Sequence, residues 1–147
     1  MKKIILVTAL LASMGAQAVE LGINASRDTT NSDRNGYGFT IGEKYDKVGI
    51  TAGFDRYTTS TDLNKYSLVT SYDVTKVGAA TIAINGGVAY LDQKNTTDGY
   101  AALVGAGVSY PLSKQVALTA DYRYQAGQSR VSSLDGGTIA AGLKYSF

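Results

Sequence analysis

The side chains that most often do chemistry are missing from this chain. Its 147 residues include no Cys and no His. That removes Ser–His and Cys–His nucleophile pairs, disulfides and imidazole-ligated metals. Acid–base work by carboxylates alone needs two acids that converge. Asp28, Asp33, Asp62, Asp92, Asp98 and Asp135 are instead scattered through polar segments, without the spacing of a calcium loop. Gly105-Ala106-Gly107 is a lone glycine pair with no nucleotide-loop fingerprint around it. The expectation is a protein that is not an enzyme and holds no cofactor or metal.

The elements that carry these residues begin after a leader. Residues 1–18 read MKKIILVTALLASMGAQA: Lys2 and Lys3, an apolar run from Ile4 to Ala12, then Ala16-Gln17-Ala18. The run is too short to span a bilayer at ~20 residues, and the pattern is that of a cleaved secretory signal peptide of bacterial length. Cleavage takes two of the 14 basic residues and leaves 12 against 12 acidic ones. A neutral mature chain, residues 19–147, gives no reason to expect nucleic acid.

No helical period follows; alternation with period two recurs eight times. Leu21, Ile23 and Ala25 face one way and Glu20, Gly22 and Asn24 the other. The same rhythm runs through Tyr37–Ile41, Val48–Phe54, Tyr66–Val74, Ile82–Tyr90, Tyr100–Tyr110, Val116–Tyr124 and Ile139–Phe147. Strands of about nine residues have the length of tilted membrane-crossing strands. The connections alternate as well: 27–36, 58–64, 92–99 and 126–136 are long and polar, whereas 43–47, 75–78 and 111–115 are short. That is an up-and-down meander with two unlike ends and both termini at the short-turn end. The one proline, Pro111, falls in a short turn.

The two faces decide the solvent. One is Gly, Ser, Thr, Ala and Asn, which suits a narrow interior. The other is aliphatic, uncharged along each strand, and has tyrosines near its ends. Tyr37, Tyr66, Tyr90, Tyr100 and Tyr124 lie toward the long connections, and Tyr72, Tyr110 and Tyr145 toward the short turns. Two aromatic belts around an apolar band mark membrane interfaces. In lipid an open sheet edge would strand backbone polar groups, so the sheet must close. The fold class expected is all-β, an eight-stranded antiparallel up-and-down transmembrane β-barrel in the bacterial outer membrane. A soluble periplasmic barrel is the competing architecture.

The segment from Tyr110-Pro111-Leu112-Ser113-Lys114 through Val116–Tyr124, with a last strand ending Leu143-Lys144-Tyr145-Ser146-Phe147, resembles the closing hairpin of small outer-membrane barrels of the OmpA transmembrane-domain, OmpX and opacity-protein type. The likeness is architectural over the mature chain and sequence-specific over roughly its last 40 residues. It implies that Phe147 acts as a C-terminal signal to the barrel-assembly machinery. No wall-binding domain follows Phe147, so anchoring of the cell wall is not expected.

Charges on the inward parity are few: Glu20, Asp55, Lys65, Asp73, Asp121, Arg123 and Lys144. Asp121 and Arg123 are about 6.8 Å apart along one strand, and Glu20 and Lys144 sit near the short-turn ends of strands that closure makes neighbours. Glu20, Asp121, Arg123 and Lys144 are therefore expected to form an interior polar network that plugs the lumen. Two functions fit: a structural, envelope-integrity or adhesin-like barrel displaying four outer loops, or a narrow passive channel. The partners expected are outer-membrane lipid, lipopolysaccharide phosphates at Arg27, Arg34, Lys94 and Arg130, and an extracellular ligand of the loops.

Overall fold

A computed structural model describes residues 19–30, 34–58, 62–93, 98–128, 131 and 134–147. Residues 1–18, expected to be a cleaved leader, lie outside the described residues, as do Asp33, Lys94 and Arg130. The chain forms β1 (Val19–Asp28), β2 (Asn35–Tyr45), β3 (Val48–Thr58), β4 (Leu63–Val77), β5 (Ala80–Gln93), β6 (Asp98–Pro111), β7 (Val116–Gly127) and β8 (Gly136–Ser146). Each pairs antiparallel with the next, and β1 pairs with β8, so the sheet closes into a barrel.

The register can be followed once round, from Val19 through Glu43, Ile50, Thr70, Gly86, Val104 and Tyr124 to Gly137. It arrives at Thr29, whose N–H donates to the Gly137 carbonyl at 2.7 Å, ten residues beyond the start. A stagger of this size on eight strands tilts them by ~40°.

The strands are longer than their apolar alternation suggests, 10 to 15 residues. Two expected short connections shrink to two-residue turns. Asp46 turns at φ 50° between β2 and β3, and Gly78 at φ 61° between β4 and β5. The segment expected as a turn at 75–78 is mostly strand. A register shift between Asp73 and Thr75 lets β4 continue to Val77, because a bulge absorbs the break in alternation. Pro111 ends β6 opposite Ala117 rather than sitting in the turn.

The parity reading holds around the barrel. Ile23 is 65% exposed and Val104 62%, with Phe39, Ile84, Val88 and Ile139 also outside. A water-facing surface would not carry such a continuous aliphatic band; in a bilayer it is the favourable face. The protein is a transmembrane β-barrel, and bacterial barrels of this kind span the outer membrane.

Candidate functional site: the lumen and the outer rim

The interior changes character with depth. Toward the long connections it is dry. Tyr57, Leu63, Leu91, Leu103, Val131 and Leu134 are all at most 5% exposed and share one cluster. Val131 and Leu134 come from the β7–β8 connection and fold into the mouth. Gln125 Nε2 donates to the Leu134 carbonyl at 2.9 Å, and Gly127 N–H donates to Asp135 Oδ1 at 2.5 Å. Gly99 and Gly127 supply the room, since a Cβ on either would press on Val131.

Within this dry section sits a buried ion pair. Asp55 and Lys65 are direct cross-strand partners on β3 and β4. Lys65 Nζ lies 3.5 Å from Asp55 Oδ2, with the two side chains only 5% and 7% exposed. The ammonium also donates to the Tyr57 hydroxyl at 2.8 Å. Gly38, opposite Asp55 on β2, leaves space for the carboxylate, which a Cβ there would strike. The space left beside Tyr57, Lys65, Gln125 and Leu134 is about 10 Å³, at the lower limit for one water.

Toward the short turns the lumen opens into a vestibule of about 170 Å³. Small residues such as Gly22, Thr40, Thr51, Ser71 and Thr119 form its wall. Three ion pairs stand in it: Glu20–Lys144 at 3.0 Å, Asp121–Arg123 at 2.8 Å and Lys44–Asp73 at 2.6 Å. Their side chains are 15% to 28% exposed, far wetter than Asp55 and Lys65. Among the described residues, the Arg123 Nε–H, Asn24 Oδ1 and Asn85 Oδ1 are buried without a hydrogen-bond partner.

Of the four residues expected to join in one network, Glu20 meets Lys144 and Asp121 meets Arg123. Among the described residues no hydrogen bond or ion pair links the two couples. Both stand in the open half, and the side chains that close the lumen are mainly others. Tyr57, Leu91 and Lys44 carry contacts that inward parity alone did not rank. Lys44 reaches Asp73 two strands away across Gly49 of β3, a contact visible only once the register is known.

On the outside, the expected belt tyrosines stand where parity put them. Tyr37, Tyr66, Tyr100 and Tyr124 are exposed toward the long connections, and Tyr72, Tyr110 and Tyr145 toward the short turns. Rings touch at Phe39–Phe54 (5.5 Å), Phe54–Tyr66 (5.1 Å) and Tyr90–Tyr100 (5.2 Å between centroids). The Tyr90 hydroxyl donates to Asp98. Phe147 is 69% exposed, meets Tyr145 edge-on, and donates its N–H to the Val19 carbonyl.

A family model described as YfaZ precursor matches residues 1–146. The chain belongs to the YfaZ family. No curated protein sequence matches it significantly. Among solved structures this YfaZ-family barrel resembles the N-terminal β-barrel domain of Pseudomonas aeruginosa OprF. That match has 20% identity and a TM-score of 0.75, covering 91% of this chain and 100% of the other. It also resembles Neisserial surface protein A, at 18% identity and a TM-score of 0.60, covering 88% and 95%. The Yersinia pestis outer membrane protein Ail matches at 13% identity and a TM-score of 0.59, covering 89% and 99%. At these identities the likeness establishes the fold: the YfaZ-family chain is a small eight-stranded barrel of the outer-membrane type.

Proposed function

We propose that this YfaZ-family barrel is a non-conducting structural and surface-interaction protein whose working face is the rim and loops at the long-connection end. The carrying observation is the dry section of the lumen. Leu91 is fully buried, Tyr57 and Lys65 are 3% and 4% exposed, and the remaining gap admits no ion with its hydration shell. On this reading the long connections face the cell exterior, in keeping with the short periplasmic turns of such barrels. They are the sites for an extracellular ligand and for lipopolysaccharide. The tyrosine rows act as interfacial anchors. Phe147 serves as the signal to the barrel-assembly machinery. Glu20, Lys144, Asp121 and Arg123 hold the wet half in shape as ion pairs. The absence of His and Cys supports a protein without catalytic activity.

The vestibule favours a second reading, a narrow channel, because half of the path is already open. Planar-bilayer recording of pure refolded protein separates the two. A silent membrane with heat-modifiable, inserted protein is expected. Steady unitary steps from the unmodified chain would overturn the non-conducting reading.

A further inference from the structure

Among the described residues, two arginines stand on the lipid-facing side of the outer rim. Arg27 on β1 and Arg56 on β3 share the outward parity of the aliphatic band, and both are exposed. They flank β2, where Tyr37 pairs with both Ala25 and Arg56. With the β rise of ~3.3 Å, the ~4.8 Å strand spacing and the ~40° tilt, Arg27, Tyr37 and Arg56 lie within about 3 Å of one height. Tyr66 and Tyr124 fall at that level too, so the two arginines stand at the membrane–water boundary. Their Cα atoms are about 12 Å apart by the same geometry, which lets two long side chains converge on one headgroup.

Arg27 has no acidic partner among the described residues. Arg56 contacts Asp62 at 3.1 Å, but the two side chains are 46% and 33% exposed, and ion pairs of that kind are weak. The nearby Asp28 is on the opposite parity and holds Arg34 at 3.6 Å. On β5 and β6 the outward charges among the described residues are acidic and stand higher, about 6–10 Å above the arginines by the same geometry: Asp92 pairs in register with Asp98. A phosphate is drawn to the β1–β3 side by the two guanidinium groups.

We propose that Arg27 and Arg56, with Tyr37 between them, form a lipid-facing clamp for an outer-leaflet lipid carrying more than one phosphate. Guanidinium forks bind phosphate oxygens in pairs. Two forks at this spacing engage two phosphate groups at once, while the acyl chains lie against Ile23, Ala25 and Phe39 below. Tyr37 offers a hydroxyl at headgroup level. The inference rests on the outward face lying in lipid, so membrane insertion is measured on the same samples.

The test uses refolded protein in phosphatidylcholine nanodiscs, titrated with diphosphoryl lipid A, with monophosphoryl lipid A, or, in undoped discs, with inorganic pyrophosphate. Arginine Nε–Hε resonances and, in every variant, the Tyr37 backbone amide resonance report binding, and a lipid-attached quencher on a Val104 probe reports insertion. The expected result is saturable shifts at Arg27 and Arg56, tightest with the diphosphoryl lipid. Arg27→Gln/Arg56→Gln should weaken binding at least tenfold, and Lys114→Gln at the short-turn end should not change it. Arg27→Lys/Arg56→Lys keeps the charge and removes the fork, so an intermediate loss is expected. Wild-type affinity in the glutamine pair with the Val104 probe still quenched overturns the clamp, as does equal saturation by pyrophosphate in undoped discs. An unquenched Val104 probe overturns the membrane orientation itself, and the clamp with it.

Discussion

Removing the Asp55 carboxylate is the sharpest perturbation of the dry section. In Asp55→Ala the Lys65 ammonium keeps its place at 4% exposure and loses the one carboxylate within ion-pair distance among the described residues. Breaking a buried pair by deleting one partner costs about 3–5 kcal/mol. The Tyr57 hydroxyl still accepts from Nζ at 2.8 Å, which puts the expected cost near the low end, about 3 kcal/mol. Asp55→Ala/Lys65→Met removes both charges and fills the volume with a flexible apolar chain, so it should return to within ~1 kcal/mol of the unmodified protein. The double variant should therefore regain about 2 kcal/mol over Asp55→Ala. Glu20→Ala is the contrast. Its partner Lys144 is 25% exposed in the open vestibule and can be hydrated when released, so the expected loss is below ~1 kcal/mol. Urea unfolding in lipid vesicles, followed by far-ultraviolet circular dichroism because the chain has no Trp, measures all four proteins. Equal, small losses for Asp55→Ala and Glu20→Ala would show that water reaches Lys65, and the argument for a dry plug would fail.

Other consequences follow from the same geometry. The chain has no Cys, so single cysteines can carry fluorophores: labels at Ile50, Leu68 and Val104 should be dimmed by lipid-attached quenchers and labels at Gly53 and Ser71 should not. The reverse pattern would invert the barrel's faces. Deleting Phe147 should reduce assembly in cells while leaving refolding into detergent unchanged, since the residue is exposed and mainly touches Tyr145; equal yields in cells would remove the signal role. Gly105→Val should lower stability by about 1–3 kcal/mol, because a Cβ there meets Arg123 Cα and Asn85 Oδ1 at 2.9 Å; an unchanged urea midpoint would mean that β6 and β7 shift freely.

Which side of the sheet each residue faces was legible because it depends only on parity, and a bilayer demands an unbroken apolar side. Height was not legible. The position of an inward residue along the barrel axis depends on the stagger of ten residues and on the register of each pair, which no single strand encodes. Leu103 reads as an anomaly on a face of Ala101, Gly105 and Gly107 until the register brings it into one cluster with Leu91 and Tyr57. Asp55 and Lys65 were visible as inward charges, but only the β3–β4 pairing makes them partners. The turn at Gly78 was displaced from its expected span because a bulge restarts the alternation after Asp73, a break that looks the same in sequence as the end of a strand.

The division of the lumen also bounds the channel reading quantitatively. Swinging the β7–β8 connection away would move Val131 and Leu134, at 1% and 5% exposure, into water. Exposing two such side chains costs about 3–6 kcal/mol, an open population between roughly one in two hundred and one in thirty thousand. Such rare openings would show as brief events in a bilayer recording, if opening the loop were sufficient. It is not sufficient, because Tyr57, Leu91, Leu103 and Lys65 belong to β3, β5, β6 and β4. Those strands are fixed by closed-barrel pairing and cannot withdraw without breaking ladder hydrogen bonds in lipid. Deleting the connection between Gln128 and Asp135 should therefore leave the protein silent. Only that deletion combined with a small residue at Leu91 or Tyr57 should join the vestibule to the outside and produce conductance.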